Sequence, residues 1–260
     1  MSDVTTKIVS TVGWVEMAAT KLDDAAKFYS EIFEWSGELM NQDSPMPYSI
    51  MKAGNATVAG IYELTGEMKE RGIPPHWLMY IIVEDVDETV KLIEKNKGKI
   101  LQPAFDVDGV GRMAVVQDPA EAVFAIWSAA ETSSGIGKGK YASCWYELST
   151  TDTEVCERFY NNVFGWSAKT DTSTGMDYIV FSTGEQMIGG MYKIPETMKG
   201  IPPNWVVYFE VPEFDATKDL ALSKGAQLMG SVMEHENIGK FAYIQDPQGA
   251  VFAIIQSSGN

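Results

Sequence analysis

The sequence predicts an α+β chain of two tandem domains, each assembled from paired βαβββ units. Three observations carry this reading: a long internal repeat, apolar periodicities that switch between strand and helix within each copy, and a Gly/Ser-rich stretch between the copies.

The repeat sets the frame. Gly13-Trp14-Val15-Glu16-Met17, Phe28-Tyr29 and Ile32-Phe33-Glu34-Trp35 in the first half answer to Cys144-Trp145-Tyr146-Glu147-Leu148, Phe159-Tyr160 and Val163-Phe164-Gly165-Trp166 in the second, with Trp14, Glu16, Tyr29 and Trp35 recurring 131 positions later. Val58-Ala59-Gly60-Ile61-Tyr62 recurs as Ile188-Gly189-Gly190-Met191-Tyr192 at an offset of 130, and Ile73-Pro74-Pro75-His76-Trp77 as Ile201-Pro202-Pro203-Asn204-Trp205 at 128. Gln117-Asp118-Pro119 and Val123-Phe124-Ala125-Ile126 recur, again at 128, as Gln245-Asp246-Pro247 and Val251-Phe252-Ala253-Ile254. Small loop deletions account for the shrinking offset. The domains therefore run over residues 8–128 and 142–257, and residues 129–141 read as a flexible linker.

Each copy opens with a strand carrying Trp and Glu. A helix follows from Leu22, with Ala25, Ala26, Phe28, Tyr29, Ile32 and Phe33 at helical spacing; in its counterpart Thr151-Asp152-Thr153-Glu154 supplies a threonine or aspartate to cap the first amides. Three short strands come next, ending in residues 57–62 and 187–192. The order then recurs within the copy: a β-rich run over residues 77–83, a helix over 86–95 with Val90, Leu92 and Ile93 inward, and strands at Ile100, 113–117 and 123–127. Gly54, Gly60 and Gly109 to Gly111 read as turn glycines, with no phosphate-binding pattern around them.

Composition narrows the function classes. Acidic side chains number 36 against 20 basic ones, a formal net charge of −16, which disfavours nucleic acid and anionic membranes as partners. No leader pattern opens the sequence at residues 1–4 and no run of about eighteen apolar residues occurs, so a cytoplasmic protein is expected. Cys144 and Cys156, the two cysteines, lack the spacing of metal ligands and read as packing thiols in a reducing compartment.

With these elements placed, the chain resembles the vicinal oxygen chelate (glyoxalase/bleomycin-resistance/dioxygenase-like) superfamily, and within it the tandem two-domain branch whose members carry hydroxylase or glyoxalase labels. The Phe-Tyr pair, the Gly-Trp-like helix end, Val83-Glu84-Asp85-Val86-Asp87 and Asp246-Pro247-Gln248-Gly249-Ala250-Val251-Phe252-Ala253 carry the resemblance as a set. It implies glyoxalase-like domains, each a cup-shaped mixed sheet. It also implies a divalent ion in the cup of members that are enzymes, bound by imidazole or carboxylate. The positions matching those ligands hold Trp14, Leu78 and Ala125 in the first copy and Trp145, Val206 and Ala253 in the second, none able to ligate a hard cation. No metal and no other cofactor is expected.

Strand alternation places Glu16 on the face of Trp14, and Glu147 on that of Trp145. On the facing strands Leu78 and Tyr80 share one parity with His76, as do Val206 and Tyr208 with Asn204, so Tyr80 and Tyr208 are candidate partners of the glutamates. Each glutamate reads either as a general base or ligand anchor, or as a structural carboxylate at the seam. His76, whose repeat counterpart is Asn204, reads as an acid/base confined to the first copy or as a loop cap. Trp35, Trp77, Trp166 and Trp205 read as packing, while Trp14 and Trp145 either fill the vacated cups or wall a flat ligand.

The favoured expectation is a metal-free binding protein that sequesters or senses an apolar or aromatic small molecule, using Trp14, Glu16, Tyr80, Trp145, Glu147 and Tyr208. One alternative is a metal-independent hydroxylase, isomerase or lyase with Glu16 or Glu147 as base and tyrosine or His76 as acid. Another is a structural module with filled cups. Monomer and homodimer both remain open.

Overall fold

The computed structural model describes residues 10–40, 46–130, 136–173, 175, 177–198 and 200–259. The first copy forms β1 (Val12–Ala19), α1 (Leu22–Phe33), β2 (Ser36–Leu39), β3 (Tyr48–Ala53), β4 (Ala56–Glu63), α2 (Gly66–Glu70), β5 (His76–Ile82), α3 (Val86–Lys95), β6 (Lys99–Val107), β7 (Gly111–Gln117) and β8 (Val123–Ala129). The second forms β9 (Ser143–Thr150), α4 (Thr153–Phe164), β10 (Ser167–Asp171), β11 (Tyr178–Thr183), β12 (Gln186–Lys193), β13 (Asn204–Glu210), α5 (Phe214–Ser223), β14 (Gln227–His235), β15 (Gly239–Gln245) and β16 (Val251–Ser257). The βαβββ order holds four times over. Each copy yields one eight-stranded mixed sheet, ordered β2-β3-β4-β1-β5-β8-β7-β6 and β10-β11-β12-β9-β13-β16-β15-β14. Parallel pairing joins β1 to β4, β5 to β8 and β13 to β16. The α+β architecture of two tandem domains is thus as the repeat predicts.

Local chemistry explains the helix ends. The Asp152 side chain accepts from the Val155 amide at the start of α4, while Lys21 opens α1 without a side-chain cap. At the far end Gly165 takes the left-handed conformation easily, at φ 71°; Glu34 adopts it at φ 54° in α1, its carboxylate held by the Tyr141 hydroxyl at 3.1 Å. In α3 the inward residues are Val86, Thr89 and Ile93, and Leu92 is exposed, contrary to expectation. The buried stripe runs i, i+3, i+7, and position 92 falls about a quarter of a turn from its centre. The short α2 was not anticipated. It is nucleated by Thr65, whose hydroxyl accepts from the Met68 amide.

Contacts divide the chain into two compact units that cut across the copies. One takes the described residues within 1–13, 80–134 and 148–205; the other takes 14–79, those within 135–147, and those within 206–260. In the latter, α1 lays Tyr29 and Phe33 on Phe252 and Phe209, with ring centroids 5.5 and 5.2 Å apart. In the former, α4 lays Tyr160 and Phe164 on Phe124, both at 5.8 Å.

Each unit contains a buried three-residue hydrogen-bond relay that joins one copy to the other. Trp77 Nε1 donates to the Tyr29 hydroxyl at 2.9 Å, which donates to Asp246 Oδ2 at 2.9 Å. Its repeat-related counterpart runs from Trp205 Nε1 to Tyr160 at 2.8 Å and on to Asp118 Oδ2 at 3.0 Å. The other oxygen of each aspartate accepts two amides of its own Asp-Pro turn, from Ala120 and Ala122 or from Gln248 and Ala250. These aspartates therefore close their turns and receive the opposite copy's tyrosine. Trp35 and Trp166 are likewise buried, their indole nitrogens donating to the Tyr141 and Ser10 carbonyls. Packing tryptophans is what the sequence predicts at all four positions.

Two expectations change. Residues 131–135 of the expected flexible linker, like residues 1–4, lie outside the described residues, but residues 137–141 are docked: the Gly137 amide donates to Thr57 O at 2.7 Å, and Tyr141 is buried beside Phe33. Gly54 and Gly109 do sit in turns, at φ 59° and 70°, whereas Gly60 lies in the middle of β4. A Cβ there would fall 1.8 Å from the Tyr48 hydroxyl, so the glycine leaves room for a ring that crosses from β3.

Candidate functional site

In the second sheet, Phe209 and Phe252 turn toward α1, so their strand neighbours Tyr208 and Ala253 face the opposite way. On that opposite face Val206, Tyr208, Ala253 and Ile255 form a buried cluster, and Trp145, Phe241 and Tyr243 pack against it half-buried. The three positions that the resemblance assigns to metal ligands, Trp145, Val206 and Ala253, thus converge. They bring an indole, an isopropyl and a methyl group. That donor set does not fit a divalent ion. Among the described residues, no three His, Cys, Asp or Glu side chains are grouped to hold one elsewhere.

Polar chemistry in this cup centres on Glu147, which is buried. The Tyr208 hydroxyl donates to Glu147 Oε1 at 2.8 Å, the Tyr243 hydroxyl donates to the same oxygen, and the two hydroxyls lie 3.0 Å apart. The expected Glu147–Tyr208 pair is therefore present, with a third member that the sequence reading missed. Tyr243 stands where the first copy has Val115, so self-comparison gave it no partner; its inward parity on β15 was the available signal.

In the first copy the corresponding tryptophan and glutamate share one tyrosine hydroxyl. Trp14 Nε1 donates to the Tyr48 hydroxyl at 3.0 Å, and that hydroxyl donates to Glu16 Oε2 at 3.1 Å. Tyr48, on β3, was not singled out from sequence; the room that Gly60 leaves for it was the overlooked sign. Burial, then the nearby Glu16 carboxylate, holds both the Tyr48 and Tyr62 phenols well above their ordinary range, so they are hydrogen-bond donors at neutral pH. Leu78 and Tyr80 are buried on β5, and Tyr80 lies opposite Ala125 in the parallel register with β8.

His76, at the start of β5, donates from Nδ1 to Pro74 O at 2.8 Å, which leaves Nε2 as the acceptor of the neutral ring. Desolvation lowers its pKa, and the Pro74 bond only partly opposes this. The native state consequently binds fewer protons than the unfolded chain just below the ordinary histidine range. The histidine's contribution is complete above about pH 6.5 and is lost as pH falls toward the lower folded value. An NMR titration of His76 should show a midpoint below 6.5, and His76→Asn, the second copy's residue, should flatten this part of the stability–pH curve. A midpoint at or above 6.5 contradicts the assignment.

Of the thiols, Cys156 packs as expected, pushed up to about 12 by burial and Asp118, but Cys144 is exposed. A surface cleft of about 420 Å³, bordered by Lys27, Glu31, Lys224 and Gln248, contains none of the expected site residues. No described helix is long and apolar enough to cross a membrane.

Comparison with known proteins bears on the family and the fold. The profile of the Glyoxalase/Bleomycin resistance protein/Dioxygenase superfamily matches residues 11–126 and 144–254. A protein of Mycobacterium tuberculosis named "Putative glyoxylase CFP32" is 32% identical over 253 residues, covering 95% of this chain and 94% of that protein. The anthracycline biosynthesis protein DnrV of Streptomyces peucetius is 25% identical over 254 residues, covering 94% and 92%. In fold, the Mn(II)-bound glyoxalase of Novosphingobium aromaticivorans matches with a TM-score of 0.63 at 14% identity, over 95% of this chain and 83% of that one. The 2,3-dioxygenase LapB of Pseudomonas sp. KL28 matches with a TM-score of 0.63 at 13% identity, over 96% and 93%.

Proposed function

The chain belongs to the glyoxalase/bleomycin resistance protein/dioxygenase superfamily, and from that premise we propose that it binds a flat, largely apolar small molecule in the cup of its second sheet, without a metal ion. One observation carries the proposal: the positions matching the superfamily's metal ligands converge as Trp145, Val206 and Ala253, beside the half-buried rings of Phe241 and Tyr243. Such a surface offers stacking and dispersion, while Glu147, Tyr208 and Tyr243 give it a polar floor that orients a ligand. The relative named for anthracycline biosynthesis adds support for a polycyclic ligand. Glu16 takes a supporting role, within the chain from Trp14 through Tyr48.

Isothermal titration with 2-(hydroxymethyl)anthraquinone tests this. Saturable binding is expected, and Trp145→Ala should weaken it about tenfold or more, the scale of a central aromatic contact. Unchanged affinity in Trp145→Ala counts against the cup. Near-stoichiometric transition metal in the purified protein, removed by Glu147→Gln, overturns the metal-independent reading.

The enzyme alternative rests on the 2.8 Å contact between Tyr208 and Glu147, which places an acid/base pair within reach of one ligand. Turnover of the bound probe, lost in Glu147→Gln, distinguishes it from binding alone.

A further inference from the structure

The second cup combines a carboxylate with aromatic faces on several sides. Tyr208 lies 6.0 Å from Phe241 and 5.9 Å from Tyr243, ring centroid to centroid, the second pair edge to face; Trp145 packs against the same cluster. Glu147 sits among them, with both tyrosine hydroxyls directed at its Oε1. With both hydroxyls directed at Glu147, the rings present π faces and edges to an occupant, and the carboxylate is the polar group set among them.

This geometry points to a specific ligand class: an aromatic molecule bearing a protonated amine, its ammonium group directed at Glu147 and lodged among Trp145, Tyr208, Phe241 and Tyr243. The inference rests on the proposed binding role of this cup and adds the ligand's charge. Three physical arguments support it. Ring faces attract an ammonium through their quadrupoles, and more strongly where water is excluded. An anionic ligand would meet both Glu147 and a chain of net charge −16, whereas a cation is drawn in by the same field. A protonated amine can add a charge-assisted hydrogen bond to Glu147, which a neutral ligand forgoes. The first copy lacks one of these rings, because Val115 stands where the second copy has Tyr243.

Three anthraquinones of one shape separate the possibilities: the 2-aminomethyl, 2-hydroxymethyl and 2-carboxyl compounds, titrated calorimetrically against the full-length protein at pH 7 in low salt. The expected order is amine, then alcohol, then acid, with about a tenfold step between the first two that shrinks at high salt. In Glu147→Gln the amine should lose its advantage over the alcohol. Equal or tighter binding of the alcohol or the acid by the wild-type protein overturns the cation assignment and leaves the cup's binding role standing. Failure of all three to bind overturns both. The wild-type ranking decides the matter even if Glu147→Gln does not fold.

Discussion

Asp246→Ala lowers the free energy of unfolding by about 3 kcal/mol, and Asp118→Ala does the same. Each substitution strips the acceptor from two backbone amides and one tyrosine hydroxyl, all buried, at about 1–3 kcal/mol per unsatisfied group, offset by relief from burying a carboxylate. Tyr29→Phe costs about 2 kcal/mol, since it removes the acceptor of Trp77 Nε1 and the donor to Asp246 together. Because these groups touch, Tyr29→Phe with Asp246→Ala costs less than the sum of the single changes. Urea denaturation followed by near-ultraviolet circular dichroism measures all three. Single variants within about 0.5 kcal/mol of wild type would rule the relay out as a structural element.

The same aspartates carry a pH signature. Burial holds Asp118 and Asp246 above the usual carboxylate range despite the donors around them. The native state therefore binds protons that the unfolded state has released. This contribution is fully present below about pH 4 and declines as pH rises through the elevated native value. Asp118→Asn should remove its share of that slope.

Gly60→Ala is the second large effect, a loss of about 2 kcal/mol. The added methyl meets the Tyr48 hydroxyl at 1.8 Å and its ring carbon at 2.4 Å, so the ring must leave, and with it the donor to Glu16 and the acceptor of Trp14 Nε1. If expulsion of that ring is the cause, adding Gly60→Ala to Tyr48→Ala costs almost nothing further. An additive double variant would place the damage in the β4 backbone instead. A Cβ on Gly190 would fall 2.1 Å from the Tyr178 hydroxyl, so Gly190→Ala should respond in parallel.

Much of this architecture was legible in the sequence because it rests on local period and on repetition. Helix α1 follows from the spacing of Ala25, Phe28, Tyr29, Ile32 and Phe33, and the paired sheets follow from four βαβββ units. The Glu147–Tyr208 contact was legible too, since strand alternation set both residues on one face. What escaped depends on neighbours distant along the chain. Self-comparison aligns Tyr29 with Tyr160 and Asp118 with Asp246, like with like, so it does not reveal that Tyr29 bonds Asp246, 217 positions away. The room for Tyr48 above Gly60 is a property of adjacent strands, and a lone strand glycine reads the same as a turn glycine until the partner is known. Tyr243 escaped for the opposite reason, being at a position where the copies differ.

The crossed relays bear on how the two copies have diverged. A change at Tyr29 is felt at Asp246, and one at Tyr160 at Asp118, so compensation for drift in either copy arises in the other. Neither half is at liberty to specialise in these residues alone. Both sets have stayed identical in type, Trp77 with Trp205, Tyr29 with Tyr160 and Asp118 with Asp246. The cup-facing positions Val115 and Tyr243 differ instead, and there one copy carries a hydroxyl that the other lacks.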